Sequence, residues 1–286
     1  MKSIRNIGEI AGAYNALLVD LWGCVHDGTR LYPDALPCLK MLHKLRKPVV
    51  FISNAPRRAA KAAVVLTALG VDSSLYKGVV TSGEAAFSIL SVPGAIPSLS
   101  EKEMPGVYYF IGPERDADVL AGLSYVRTHR VQEADFLVNA GFGTDEQSTE
   151  DFQGLLQQAA KRRLPMACLN PDKEVVKITG ERYPCAGVIA EAYEAMGGEV
   201  MYIGKPYPEI YARALDLLGT PARSHVLAIG DGLHTDVLGA RNAGIASVLI
   251  TGGLLGHLLH KSDEEILYWL AQADVQPDYV ISALRW

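Results

Sequence analysis

Several short apolar runs in this chain stop abruptly at a polar residue and are followed by a stretch with helical spacing. Ala16-Leu17-Leu18-Val19 stops at Asp20, and Val49-Val50-Phe51-Ile52 stops at Ser53-Asn54. The run at 225–229 stops at Gly230-Asp231, and Val200-Met201-Tyr202-Ile203 stops at Gly204-Lys205. Runs that are apolar throughout, without alternation, suit strands covered on both faces, the condition of parallel sheets. Helical spacing is read at 35–45, at 58–69 before Gly70, from 82 onward, at 208–218 before Gly219, at 234–242 and at 263–271. Further strands are expected at 79–80 and 246–250, with an edge strand at 279–281. Strand–helix alternation of this kind predicts an α/β fold, a doubly wound parallel sheet with helices on both faces.

The texture changes in the middle. Pro and Ser gather without period at 91–105, which suits a linker. Strands at 107–111, 136–139 and 166–169, with helices at 116–123 and 151–161, then predict a smaller α/β unit inserted into the larger one. A chain of 286 residues is also more comfortable as two cores than as one. The expected division is 1–90 and 184–286 for the larger unit and 91–183 for the insert, a mobile cap over the larger unit.

A net charge of -5 supplies no basic excess for a phosphate backbone, so general nucleic-acid binding is excluded. Cys24, Cys38, Cys168 and Cys185 form no C-x-x-C pair, and four reduced thiols in a cytoplasmic protein are expected. Residues 1–13 carry charges and no apolar signal core, and no uncharged apolar run is long enough to span a bilayer. Gly252, Gly253 and Gly256 lack the spacing of a dinucleotide loop, and His257 with His260 has no third ligand nearby.

In open α/β sheets ligands gather at the carboxyl ends of the strands. Asp20, Ser53-Asn54, Lys205 and Asp231 all fall there. Any one of them is an ordinary turn or helix cap; four elements at one edge are not. Two neighbouring carboxylates repel unless a cation lies between them, and such oxygen ligands suit Mg²⁺. A cation there would neutralise a phosphate group, Lys205 would steady both a carboxylate nucleophile and a phosphate oxygen, and Ser53 and Asn54 would donate to the remaining oxygens.

Four segments, Asp20-Leu-Trp-Gly-Cys-Val-His-Asp-Gly, Ser53-Asn54, Gly204-Lys205-Pro206 and Gly230-Asp231-Gly-Leu-His-Thr-Asp236, resemble the ordered motifs of the haloacid dehalogenase superfamily. Their detail is similar to its class IIA branch of nitrophenyl-phosphatase-like and sugar-phosphatase-like members, as are Thr81-Ser82-Gly83 and Asn170-Pro171-Asp172. The resemblance implies a Rossmann-like core with a cap, and Mg²⁺-dependent hydrolysis of a small phosphorylated metabolite through an aspartyl-phosphate. Asp20 would be nucleophile and metal ligand, Asp231 a metal ligand, Asp236 an outer partner of the metal, and the backbone carbonyl of Trp22 a further ligand. Pairing of two copies through the cap would fit the family. Read from the residues themselves, Asn170-Pro171-Asp172-Lys173 either places Asn170 and Asp172 over the substrate from the cap or is simply an Asx-type turn.

Trp22 departs from the pattern. Most phosphatases of the family carry there a second aspartate as general acid and base, and an indole can do neither job. Three readings stay open at this point. The chain hydrolyses esters with good leaving groups or with acid from His26, Asp27 or Asp172, with His26-Asp27-Gly28 read otherwise as a surface turn. Alternatively it cleaves a carbon–phosphorus bond through a lysine imine at Lys173 or Lys177, or it binds a phosphorylated ligand with little turnover.

Overall fold

The computed structural model describes residues 1–99 and 105–286. Of the expected linker, residues 100–104 lie outside the described residues, and the described part holds a 3₁₀ turn at Pro97–Leu99. The first elements are β1 (Lys2–Ser3), β2 (Ala16–Asp20), α1 (Ala35–Lys44), β3 (Val49–Ser53), α2 (Ala59–Ala68), β4 (Gly78–Thr81) and α3 (Ser82–Leu90). Then come β5 (Val107–Ile111), β6 (Val126–Thr128), β7 (Phe136–Asn139), α4 (Gln153–Lys161), β8 (Met166–Cys168), β9 (Glu174–Val176), β10 (Arg182–Pro184), α5 (Ala186–Ala195) and β11 (Val200–Tyr202). The chain closes with α6 (Pro208–Leu217), β12 (Val226–Gly230), α7 (Leu238–Ala243), β13 (Ala246–Ile250), α8 (Asp263–Ala271) and β14 (Tyr279–Ile281). Among the described residues no helix is long and apolar enough to cross a membrane.

Seven strands form one parallel sheet in the order β1-β14-β13-β12-β2-β3-β4. Its central strands are buried along their whole length, and successive residues serve opposite layers. Leu17 and Val19 pack with Leu39 and Leu42 of α1 and Leu66 of α2, whereas Leu18 and Val50 pack with Ile210 and Ala214 of α6 and Ala240 of α7. Continuous apolar runs in the sequence thus become strands with two covered faces.

Five more strands form a second parallel sheet, β11-β8-β7-β5-β6, separate from the first. One face carries α4 and α5 through Leu156, Ala159, Ile189 and Tyr193. The other packs on Ala85, Ala86 and Leu90 of α3, so α3 seats the cap on the core.

Three expectations change. Val200–Tyr202, placed in the larger unit, pairs with β8 in the smaller sheet, and α5 covers that same sheet, so the cap layers continue past residue 183. No α-helix forms at 116–123; a 3₁₀ turn at Glu114–Asp116 and tight turns take its place, with Gly122 at φ +94 interrupting the period. The helix expected at 234–242 begins as a π-turn, Leu233–Val237, before α7.

Candidate active site

The strand order of the larger sheet reverses between β2 and β12, which opens a crevice at their carboxyl ends. Asp20 ends β2, and Asp231 directly follows β12. A cavity of about 530 Å³ lies there, between the two sheets. Asp20, Trp22, Ser53, Asn54, Asn170, Asp172, Lys205, Asp231 and Asp236, the residues singled out from sequence, all line it.

Lys205 is the electrostatic centre. Its ammonium donates to Asp20 Oδ1 at 2.6 Å and to Asp236 Oδ1 at 2.8 Å, with all three side chains buried. Burial alone would lower its pKa, but Asp20, Asp236 and Asp172 around it hold it well above the usual lysine value. The π-turn sets Asp236 so that its other oxygen accepts from Gly232 N at 3.2 Å, while Tyr211 OH donates to the Asp236 carbonyl at 3.2 Å. Single π-turns inside helices recur at functional sites.

Asn54 is a strut. Its Oδ1 accepts from Lys205 N at 2.7 Å, and its Nδ2 donates to Lys205 O at 3.1 Å and to Asp172 Oδ1 at 2.8 Å. The side-chain donors that were expected on a phosphate are therefore engaged in fixing Lys205 and Asp172. Ser53 Oγ accepts from Ala55 N at 3.2 Å and keeps its hydroxyl hydrogen for a ligand.

Three buried carboxyl groups, Asp20, Asp231 and Asp236, and the half-buried Asp172 surround one ammonium, so acidic groups outnumber the cation. Burial pushes the Asp231 carboxyl up to about 7, with Asp236 adding repulsion against one hydrogen bond from Leu254 N at 2.9 Å. Burial likewise raises Asp20, against the pull of Lys205. Among the described residues, ligand atoms of Asp20, Cys24 and Asp231 lie within 4.8 Å of one another. Burial beside those carboxylates keeps Cys24 a thiol, a poor ligand, which leaves two carboxylates. That donor set fits a hard, oxygen-seeking divalent cation.

Two acids suggested by sequence are disqualified by their surroundings. His26 is buried, not superficial; burial lowers its pKa to about 4, and its Nδ1 accepts from Gly28 N at 2.9 Å. Asp27 is also buried, and burial alone would raise its pKa. Hydrogen bonds from Thr29 Oγ1 and from the backbone of Thr29, Arg30 and Ile178 outweigh that and hold it at about 2. Asp172 differs: burial raises it to about 6 despite Lys205 and Asn54. Lys173 pairs with Glu191 at 2.6 Å with both side chains exposed, and Lys177 is held protonated by its bond to Tyr183 OH at 2.9 Å.

One loop of the site escaped the sequence reading. A Cβ on Gly253 would stand 2.0 Å from Asp231 Oδ2, so the chain after β13 presses its backbone on that carboxylate. Its position directly after an apolar run was the available signal, masked by a search for dinucleotide spacing.

Residues 17–125 match the model of haloacid dehalogenase-like hydrolases, and residues 202–286 match a second, HAD-hydrolase-like model. Among curated proteins, an acid sugar phosphatase of Staphylococcus epidermidis is 27% identical over 84% of this chain and 88% of its own. Chronophin of Rattus norvegicus is 28% identical over 96% of this chain and 87% of its own. A solved haloacid dehalogenase-like hydrolase from Brucella suis 1330 superimposes with a TM-score of 0.83 at 29% identity, covering 98% of this chain and 99% of that one.

Proposed function

Because this chain belongs to the haloacid dehalogenase-like hydrolases and acts on phosphate esters, we propose that it hydrolyses a small phosphorylated metabolite, of sugar-phosphate or aryl-phosphate type, through an aspartyl-phosphate on Asp20. The observation that carries the reading is the pairing of Asp20 with Lys205 at 2.6 Å beside Asp231, at the crevice where the strand order reverses. The strand pairing and layers support a cap that runs from 91 to 203, with the core on either side.

Asp20 attacks phosphorus in line with the leaving oxygen. Lys205 holds the attacking carboxylate and spreads the charge that gathers on the phosphate oxygens, while Asn54 keeps Lys205 in place. Ser53 donates to a phosphate oxygen. Mg²⁺ is the divalent ion proposed here, held by Asp20, Asp231 and the backbone carbonyl of Trp22, with Asp236 behind them; when bound it neutralises the phosphate and aligns it. Asp172 is the carboxyl whose raised pKa and place in the cavity suit protonation of the leaving oxygen. It then takes the proton of the water that attacks the aspartyl-phosphate, and inorganic phosphate and Asp20 are released.

A lysine imine has less support, since Lys173 is tied to Glu191 and Lys177 is held protonated. The test is phosphate release from p-nitrophenyl phosphate with and without Mg²⁺, in wild type and Asp20→Asn. Release that needs Mg²⁺ and vanishes in the variant is expected; release that survives Asp20→Asn overturns the mechanism.

A further inference from the structure

The β9–β10 hairpin belongs to neither large sheet. Two strands of three residues do not stand alone in water, so this hairpin depends on what it is docked to. Trp22 Nε1 donates to Val176 O at 2.8 Å, and Ile178 N donates to Asp27 Oδ2 at 3.2 Å. On the other strand, Arg182 Nη2 donates to Leu254 O at 3.0 Å, while Leu254 N holds Asp231 at 2.9 Å. The hairpin therefore rests on two core loops that leave the carboxyl ends of β2 and β13, the loops that carry Asp20's neighbours and brace Asp231.

The loop after β2 is built to present this dock. A Cβ on Gly28, where φ is +88, would lie 2.5 Å from the Trp22 ring, so a glycine is what lets the chain fold across the indole. His26 meets the ring edge-on at 6.1 Å between centroids, and its Nδ1 fastens Gly28 N. Asp27 Oδ1 collects Thr29 N at 3.0 Å, Thr29 Oγ1 at 2.7 Å and Arg30 N at 2.9 Å. One face of that carboxylate locks the turn, and Oδ2 serves the hairpin. Trp22 Nε1 and Asp27 Oδ2 are thus both directed at the cap backbone.

We propose that Trp22 is a positioning residue that docks the β9–β10 hairpin over the phosphate site, so that the place two residues after the nucleophile serves enclosure of the substrate instead of proton transfer. Val175, Lys177 and Tyr183 of the hairpin line the cavity, and the dock fixes that wall. In its kinetic consequence the inference rests on the phosphohydrolase reading; in its structural consequence it does not.

Hydrogen–deuterium exchange of the full-length Trp22→Phe protein tests it, because phenylalanine keeps an aromatic ring and the backbone carbonyl and loses the N–H donor with the five-membered ring that carries it. Amides of 174–184 are expected to exchange about five- to tenfold faster, the factor that one net hydrogen bond is worth, with β2, β3 and β12 unchanged. KM for p-nitrophenyl phosphate is expected to rise by a similar factor while kcat stays within about twofold. Unchanged exchange in the hairpin overturns the proposal, as does a fall in kcat at constant KM. Trp22 is one of three tryptophans, so the Trp269→Phe/Trp286→Phe protein reports on the native indole alone, whatever Trp22→Phe does to folding. Acrylamide quenching several-fold slower than that of a free indole supports the dock, and quenching at the free rate overturns it. Exchange and quenching need no turnover, so an inactive protein would sink the phosphohydrolase reading and leave this one standing or falling by itself.

Discussion

Two parallel sheets turn the carboxyl ends of their strands toward the same cavity, and they treat it differently. The larger sheet reverses its strand order between β2 and β12 and sets Asp20 and Asp231 at the crevice. The smaller one reverses between β5 and β7, and there the cavity is met by Pro113, Ala140 and Gly141 together with Asp145 and with Asp116, which is paired to Arg57 and Arg115. Topology supplies a crevice in both cases; side chains decide that one does chemistry and the other gives shape. Nearer to Asp20 the cap supplies Asp172 after β8, and Lys205 follows β11 where the chain re-enters the core.

The sharpest way to break that division is to remove the nucleophile proposed for the core. Asp20→Asn is expected to lose on the order of 10⁴ to 10⁶ in kcat, measured as phosphate release with protein concentration matched by circular dichroism. Retained turnover would move the chemistry away from the core edge.

Asp172→Asn asks whether the cap takes part in proton transfer. A loss of about 10² to 10³ is expected with alkyl phosphates, whose leaving oxygen needs a proton, against tenfold or less with p-nitrophenyl phosphate. An equal loss on both substrates would make Asp172 a strut like Asn54, and the cap a matter of shape alone.

The buried turn under the hairpin gives a stability test. His26 is held neutral, its pKa lowered by burial to about 4 from an unfolded value near 6.5. The unfolded chain therefore binds the proton first as pH falls. The stability His26 contributes is complete above pH 6.5 and is lost between 6.5 and 4, by on the order of 3 kcal/mol. Urea midpoints from pH 7.5 to 4 check this, with His26→Gln expected to flatten the profile in that window. Parallel profiles for the two proteins would deny the turn its part.

The smallest effect belongs to the cap's outer surface. Lys173→Ala removes an exposed pair with Glu191 and is expected to leave kcat within twofold and stability within about 0.5 kcal/mol. Abolished activity would instead put a reacting amine at that position.

Much of the core could be read in advance, because a strand buried on both faces writes an uninterrupted apolar run and its end is marked by the first polar residue. Asp20, Ser53 and Asp231 were visible for that reason. The cap was harder. The sequence of α5, Ala-Gly-Val-Ile-Ala-Glu-Ala-Tyr-Glu-Ala, is small and apolar enough to lack a clear polar face. β9 and β10 are too short and too mixed in polarity to carry a period, and they exist through their dock on Trp22 and Leu254. The sheet that β11 joins was also illegible, since Val-Met-Tyr fits either one and only pairing with β8 decides.

That last pairing has a consequence for anyone who would exchange caps between relatives as cassettes. The strand that closes the smaller sheet runs straight into Lys205, whose ammonium bridges Asp20 and Asp236. A graft cut at the visible edge of the larger sheet would carry away the cation that holds the host's Asp20, together with the foreign lid. A productive splice must treat 200–205 as part of the reaction centre, which makes the boundary of the module chemical where its architecture suggests a simple joint.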